Sequence, residues 1–155
     1  MADRPPIHIR PLRIGDYGKV YALWKAAGEG VGLGESDSRE AIRRYLRRNR
    51  GMSLVAASGS RVVGVVLCGH DGRRGYLHHL AVAGKWRRRG VGRRLVTACL
   101  ERLGSEDIPK CNLFLYASNA EGRAFWRSQG WTVRSDLRLV QRATASAAPP
   151  CPRSC

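Results

Sequence analysis

The chain has 155 residues, 43% of them hydrophobic, the make-up of one globular domain around one core. No apolar run reaches the roughly 18 to 20 residues of a membrane helix, and Met1 to Pro11 lacks the apolar stretch of a signal peptide, so the expectation is a cytoplasmic protein with no membrane partner. A formal charge of +16 predicts attraction to phosphate-bearing ligands or acidic partners, without choosing between nucleic acid and a phosphorylated small molecule.

Ile7-His8-Ile9-Arg10-Pro11 alternates as a short strand does, and Gly15-Asp16 offers an N-cap ahead of Val20, Leu23 and Trp24, which are apolar at helical spacing. Trp24 reads as core. Gly28 to Gly34 holds four glycines and reads as a loop, after which Asp37-Ser38-Arg39-Glu40 has the residue types of a helix start. Ala41, Ile42, Tyr45 and Leu46 give that helix its apolar face. Leu54 to Ala57 and Arg61 to Cys68 are β-rich runs joined across Ser58-Gly59-Ser60, and Tyr76 to Val82 follows the turn signal Asp71-Gly72, giving an antiparallel meander. Between Gly90 and Leu103 the residues Val91, Leu95, Val96, Cys99, Leu100 and Leu103 recur at helical intervals, with Gly104 as a stop.

Pro109 precedes another apolar strand, Cys111 to Tyr116, and Asn119 can cap a helix containing Ala120, Ala124, Phe125 and Trp126. Gly130 ends that helix before Trp131-Thr132-Val133 and Leu137-Arg138-Leu139-Val140, read as two last strands. The order is βα, α, βββ, α, β, α, ββ, which implies an α/β fold with a mixed sheet flanked by helices. Residues 1–143 make the domain, and the small, Pro-containing stretch 144–155 reads as a flexible tail.

The five cysteines, Cys68, Cys99, Cys111, Cys151 and Cys155, are an odd, widely spaced set and read as reduced thiols. A metal site drawn from Cys68, His70, His78 and His79 is disfavoured, because adjacent strand residues point to opposite faces, and no metal is expected.

The informative segment is the loop between Tyr76–Val82 and the helix that opens with Gly90-Val91-Gly92. It carries Lys85, Arg87, Arg88 and Arg89, and Arg93 follows one turn on. A helix N-terminus has unpaired N–H groups and a partial positive charge, so it attracts anions. Glycines at 90 and 92 remove Cβ atoms that would hold a pyrophosphate away, and guanidinium groups add bidentate, permanently charged contacts. A dinucleotide fingerprint fails because Leu95 stands where its third glycine belongs, and no Walker A loop is present. A merely solvated basic face is the plainer alternative, weakened by the strand before the loop and the amphipathic helix after it.

Leu80-Ala81-Val82, then Arg87-x-x-Gly90-x-Gly92, then Asn119 with Phe125-Trp126 and Gly130-Trp131, resembles the GNAT superfamily of acyl-CoA N-acyltransferases. The likeness runs from Ile7 to Val140 and is nearest to small bacterial acetyltransferases, more distantly to ribosomal-protein N-terminal acetylases. It implies a mostly antiparallel sheet splayed between strands four and five, acetyl-CoA as cosubstrate and an amine as acceptor. By the same resemblance, Arg87, Arg88, Arg89, Gly90, Val91, Gly92 and Arg93 hold the pyrophosphate, while backbone groups of Leu80, Ala81 and Val82 and the Asn119 side chain meet the pantetheine arm. For Asn119 a plain helix cap is compatible with that role.

Two departures from the family pattern concern the chemistry. The glutamate that many members carry on strand four is absent, so His78 is the candidate base, on a face with Tyr76 and Leu80 and opposite Leu77, His79 and Ala81. The tyrosine that often protonates the departing thiolate is replaced by Trp126, whose indole N–H does not titrate usefully. Trp126 then packs beside the cofactor, and the proton comes from water or from Tyr116. The acceptor should be met by the segment Gly28 to Tyr45, where Glu29, Glu35 and Asp37 are either ammonium partners or helix caps and solvated charges. A nucleic-acid-binding module is the rival reading, motivated by the basic helix Arg39 to Arg50, and it is disfavoured because no groove-reading or base-stacking motif is present. The reading leaves room for a homodimer.

Overall fold

The structure is a computed structural model and describes residues 5–144. The elements are β1 (Ile7–Pro11), α1 (Tyr17–Ala26), α2 (Arg39–Arg48), β2 (Leu54–Ser58), β3 (Arg61–His70), β4 (Gly75–Val82), α3 (Val91–Ser105), β5 (Cys111–Leu113) and α4 (Ala120–Ser128), with short 3-10 turns at Ile14–Asp16, Gly28–Gly30, Glu35–Asp37 and Gly84–Trp86. The strands lie in sequence order in one sheet, antiparallel throughout except for the parallel pair β4–β5. This is the mixed, helix-flanked sheet expected from the order of elements.

Both faces of the sheet are covered, which explains why β2 is buried along its whole length and reads as a nearly continuous apolar run. Leu54, Ala56, Val66, Cys68 and Leu77 meet Leu95, Val96, Cys99 and Leu103 of α3 in one core. Val55, Val65, Leu67 and Ala81 meet Val20, Trp24 and Ile42 of α1 and α2 in the other. Trp24, the largest fully buried side chain, is core as its spacing suggested. Cys68 and Cys99 are buried free thiols and Cys111 is a half-buried one, while Cys151 and Cys155 lie outside the described residues, as does the tail from 145 onward.

Three features differ from the sequence reading. Asp16 does not cap α1; its carboxylate is held by both guanidinium nitrogens of Arg10, at 2.8 and 2.9 Å, and accepts from the Arg13 N–H at 3.0 Å. The fifth strand stops at Leu113 rather than at Tyr116, because only Cys111, Asn112 and Leu113 find partners on β4. The two last strands are absent among the described residues: 131–144 carries no regular element, and Val133, Leu137, Leu139 and Val140 are exposed. Alternation alone makes no strand without a partner to complete its ladder.

The β4 strand also departs from simple alternation. His78 pairs with Leu67 and Ala81 with Val65, so His79 and Leu80 together oppose Val66, which is a β-bulge. His79 has φ 54°, a left-handed value that only a few per cent of non-glycine residues adopt. The bulge reverses the facing beyond it. Leu80 packs with Leu77 in the α3-side core, while the His79 ring meets Trp24 on the face where Ala81 packs. The expected grouping of Tyr76, His78 and Leu80 on one face, and of Leu77, His79 and Ala81 on the other, is therefore wrong after His78.

Candidate functional site

The site is built where β4 and β5 part. They pair through Gly75–Cys111, Tyr76–Asn112 and Leu77–Leu113 and no further, so from His78 to Val82 the outer edge of β4 has no strand beside it. This is the splay between the fourth and fifth strands, and it leaves the backbone of Leu80, Ala81 and Val82 on an open edge. An unpaired strand edge is a row of donors and acceptors ready for an extended ligand. The Val82 carbonyl already accepts from Arg87 Nε at 3.1 Å, which ties the following loop to the strand end.

That loop delivers its arginines to the start of α3. The turn Gly84–Trp86 brings the chain round, with Trp86 N–H donating to the Ala83 carbonyl at 2.8 Å. Trp86 packs against the α3-side core, and the Arg89 guanidinium lies 5.9 Å from its ring centroid. Trp86 thus anchors the loop, a role that its place inside a basic run hid. Arg87, Arg88, Arg89 and Arg93 are all exposed.

Arg88 and Gly90 both have positive φ, 58° and 75°, a pattern that curls successive N–H groups into an anion-binding concavity. Gly90 is the N-cap residue of α3 and supplies no side-chain cap. A Cβ on Gly90 would meet no heavy atom within 4 Å, so open space lies in front of the uncapped turn. At Gly92 a Cβ would stand 3.4 Å from Phe125 Cζ and 3.8 Å from Leu80 Cδ2. A Cβ there makes only ordinary contact with α4 and β4, so alanine would fit and a much larger side chain would have to displace Phe125 or Leu80.

His78 sits at the point of divergence. Its ring is nearly parallel to that of Tyr76 (8°, centroids 6.3 Å apart) and lies 6.1 Å from Phe114, just past the end of β5. Burial pushes the His78 pKa below its ordinary value, His79 pushes it the same way, and Asp37 opposes them. The ring is therefore held toward its neutral, proton-accepting form. Tyr116, expected on a strand, is exposed in the loop after β5, with its hydroxyl packed against Gly32.

Asn119 caps α4, its Oδ1 accepting from the Gly122 N–H at 2.8 Å, while its Nδ2 is 3.7 Å from where a Cβ on Gly30 would stand. The loop after β5 thus meets the glycine-rich loop after α1. Trp126 turns away into packing, edge-on to Phe125 at 5.0 Å and to Trp131 at 5.1 Å, and contacts the α3-side core.

Of the acidic residues in the segment between α1 and α2, Glu29 and Glu35 are exposed and Asp37 is buried. Asp37 is already committed: Oδ1 is 2.7 Å from His79 Nε2 and Oδ2 accepts from the Gly34 N–H at 2.8 Å. Its reading as an ammonium partner is corrected on that ground. A cleft of about 530 Å³ lies elsewhere, lined by Lys19, Arg61, Val62, Ala83, Lys85 and Trp86 among others, and does not include the β4–β5 opening. We place the site at the opening because the strand edge, the bare helix start and the titratable ring converge there. Among the described residues, no group of three or more His, Cys, Asp or Glu side chains is arranged to hold a metal ion, and no helix is long and apolar enough to cross a membrane.

An uncapped helix start set among arginines, beside two parallel strands that fork, offers a place for a phosphate-bearing ligand with an extended arm. The chain belongs to the acetyltransferase (GNAT) family, whose model matches residues 19–131, a stretch that contains the fork, the arginine loop and Asn119. It is 30% identical over 134 residues to an acetyltransferase of Sodalis glossinidius, covering 86% of this chain and 93% of that one. Its fold is similar to that of Ard1 from Thermoplasma volcanium (TM-score 0.73, 20% identity, 83% of this chain and 84% of that one). It is similar, too, to the PaiA N-acetyltransferase of Thermoplasma acidophilum solved in complex with coenzyme A (TM-score 0.72, 20% identity, 83% and 91%). The chain is an acetyltransferase, and its cosubstrate is acetyl-CoA.

Proposed function

We propose that the protein is an N-acetyltransferase that moves an acetyl group from acetyl-CoA to a primary amine of a small molecule or peptide by direct attack. The observation that carries this reading is the open edge of β4 ending at the uncapped, arginine-flanked start of α3. Arg87, Arg88, Arg89 and Arg93, with the first-turn N–H groups from Val91 and Gly92, would hold the pyrophosphate; Leu80, Ala81 and Val82 would pair with the pantetheine arm, and Asn119 would add its Nδ2. When bound, acetyl-CoA supplies an acetyl thioester and a good leaving group.

The chain's own residues supply the rest. His78, half-buried and kept neutral by its surroundings, takes the proton from the amine directly or through water. A backbone N–H on the open edge of β4 can donate to the oxygen on which charge develops. Tyr116, beside the loop that the acceptor would meet, is the side-chain source for the proton that the departing thiolate needs, since Trp126 is turned into packing. Glu29 and Glu35 remain as exposed partners for an ammonium group.

The test is a panel of amines and peptides with acetyl-CoA, monitored by thiol release. Turnover with at least one primary amine, and its loss in Gly92→Glu, is the expected result. Acetyl-CoA binding without turnover on any amine would overturn the acceptor assignment.

A further inference from the structure

A buried charge is tolerated where it is paired and fully hydrogen-bonded. One such pair sits where the loop before α2 meets β4. The side chains of Asp37 and His79 are 5% and 19% exposed, and Oδ1 and Nε2 are 2.7 Å apart. The second carboxylate oxygen accepts from the Gly34 N–H at 2.8 Å, and the Asp37 carbonyl accepts from the Tyr17 hydroxyl at 2.7 Å. The His79 carbonyl in turn accepts from Trp24 Nε1 at 3.0 Å, and the Trp24 ring stands edge-on to the imidazole at 5.2 Å. His79 is therefore held at its side chain and at its carbonyl, and it is the residue that carries φ 54° at the centre of the bulge. A non-glycine residue persists in such a conformation only when its surroundings over-determine it.

We propose that Asp37, His79 and Trp24 form a clamp that fixes the β4 bulge to the acceptor-side loop, and that Asp37 and His79 are thereby positioning residues for acetyl transfer. The link to catalysis rests on the N-acetyltransferase reading above; the clamp does not. The bulge decides what the fork presents, because it sets His78 and His79 on one face and turns Leu80 to the other. Were the bulge to relax, regular alternation would resume at His79, and the open edge from Leu80 to Val82 would shift against its surroundings. At its other end the clamp holds the loop that carries Gly32, under Tyr116, and Gly30, beside Asn119. Bulge, acceptor loop and the loop after β5 are thus one mechanical unit.

The test uses the full chain and three variants: Asp37→Ala, Asp37→Asn, which keeps an acceptor for the Gly34 N–H, and His79→Gly, which adopts a positive φ freely but loses the hydrogen bond to Asp37. Hydrogen exchange of peptides spanning 30–37 and 78–82 is read by mass spectrometry alongside kcat, KM for the amine, and calorimetric affinity for coenzyme A. In Asp37→Ala, exchange should rise in both segments, kcat should fall about 10- to 100-fold as positioning is lost, and coenzyme A affinity should fall by less than kcat does, since the open edge of β4 shifts while the arginine loop lies outside the clamp. Asp37→Asn should retain most of the activity, and His79→Gly should fall between the two.

Unchanged protection of 78–82 in Asp37→Ala would refute the clamp, and this arm needs no substrate. A drop in melting temperature with kcat per folded molecule unchanged would make the pair merely structural and overturn the positioning role. A wild-type protein that turns over no amine in the panel would count against the acetyl-transfer reading alone, with the exchange data still deciding the clamp.

Discussion

Two helices begin beside the fork, and they begin differently. At α4 the Asn119 side chain caps the first turn through the Gly122 N–H, so that helix start is complete within the protein. At α3 the N-cap residue is Gly90, which has a left-handed backbone and no side chain to offer, and arginines stand on either side of it. A glycine at the N-cap costs only about a few tenths of a kcal/mol relative to Ser, Thr, Asn or Asp, so the longer helix is left open at little cost in stability. The difference teaches how to tell a structural helix start from one proposed to bind: by what is missing at the cap and by which charges surround the gap.

The largest test of that contrast is Gly92→Glu, which puts a carboxylate into the mouth of the opening. Acetyl-CoA affinity by calorimetry should fall more than about 100-fold from steric exclusion and like-charge repulsion together, whereas Gly92→Ala, whose Cβ meets Phe125 at an ordinary contact distance, should bind nearly normally. His78→Ala, at the fork between the two helix starts, should lower kcat/KM by about 100-fold while leaving coenzyme A affinity intact.

His78 also carries a pH signature with a definite sign. In the proposed mechanism the neutral ring is the base, and burial lowers its pKa, so kcat/KM should stay level through neutral pH and decline only on acidification below the ordinary value of about 6.5. In His78→Ala that acidic limb should vanish. Arg89→Ala should weaken coenzyme A about tenfold, as expected for one charge-assisted contact to phosphate, and less so at high salt. The smallest effect belongs to the finished helix: Asn119→Ala should cost about 1 kcal/mol of stability in a denaturant titration, with a minor change in coenzyme A affinity.

The same contrast explains what could be read from the chain alone. The arginine loop and α3 were legible because every part of them is local: the strand, the basic loop, the glycines and the amphipathic helix follow one another within a few turns of chain. The faces of β4 were misread at His79 because a bulge is a property of two strands in register, and nothing in Tyr76 to Val82 announces that two of its residues will oppose Val66. Asp37 does cap, its Oδ2 accepting from the Gly34 N–H, but its other oxygen looked free for an ammonium group because its partner His79 lies 42 residues away. The expected last strands failed for a related reason, since Leu137 to Val140 alternates suggestively but alternation does not say whether another strand will pair with it. Trp126 was expected to pack beside the cofactor; in the fold it stands edge-on to Phe125 and to Trp131, the latter brought to it by the turn at Gly130, which only the folded chain shows.

The central claim is that the start of α3 holds a pyrophosphate, and comparing coenzyme A with pantetheine, which lacks that group, tests it most directly. Calorimetry on wild type and Arg89→Ala should show that the substitution weakens coenzyme A about tenfold and leaves pantetheine unchanged. Equal weakening of both ligands, or of neither, would contradict the assignment.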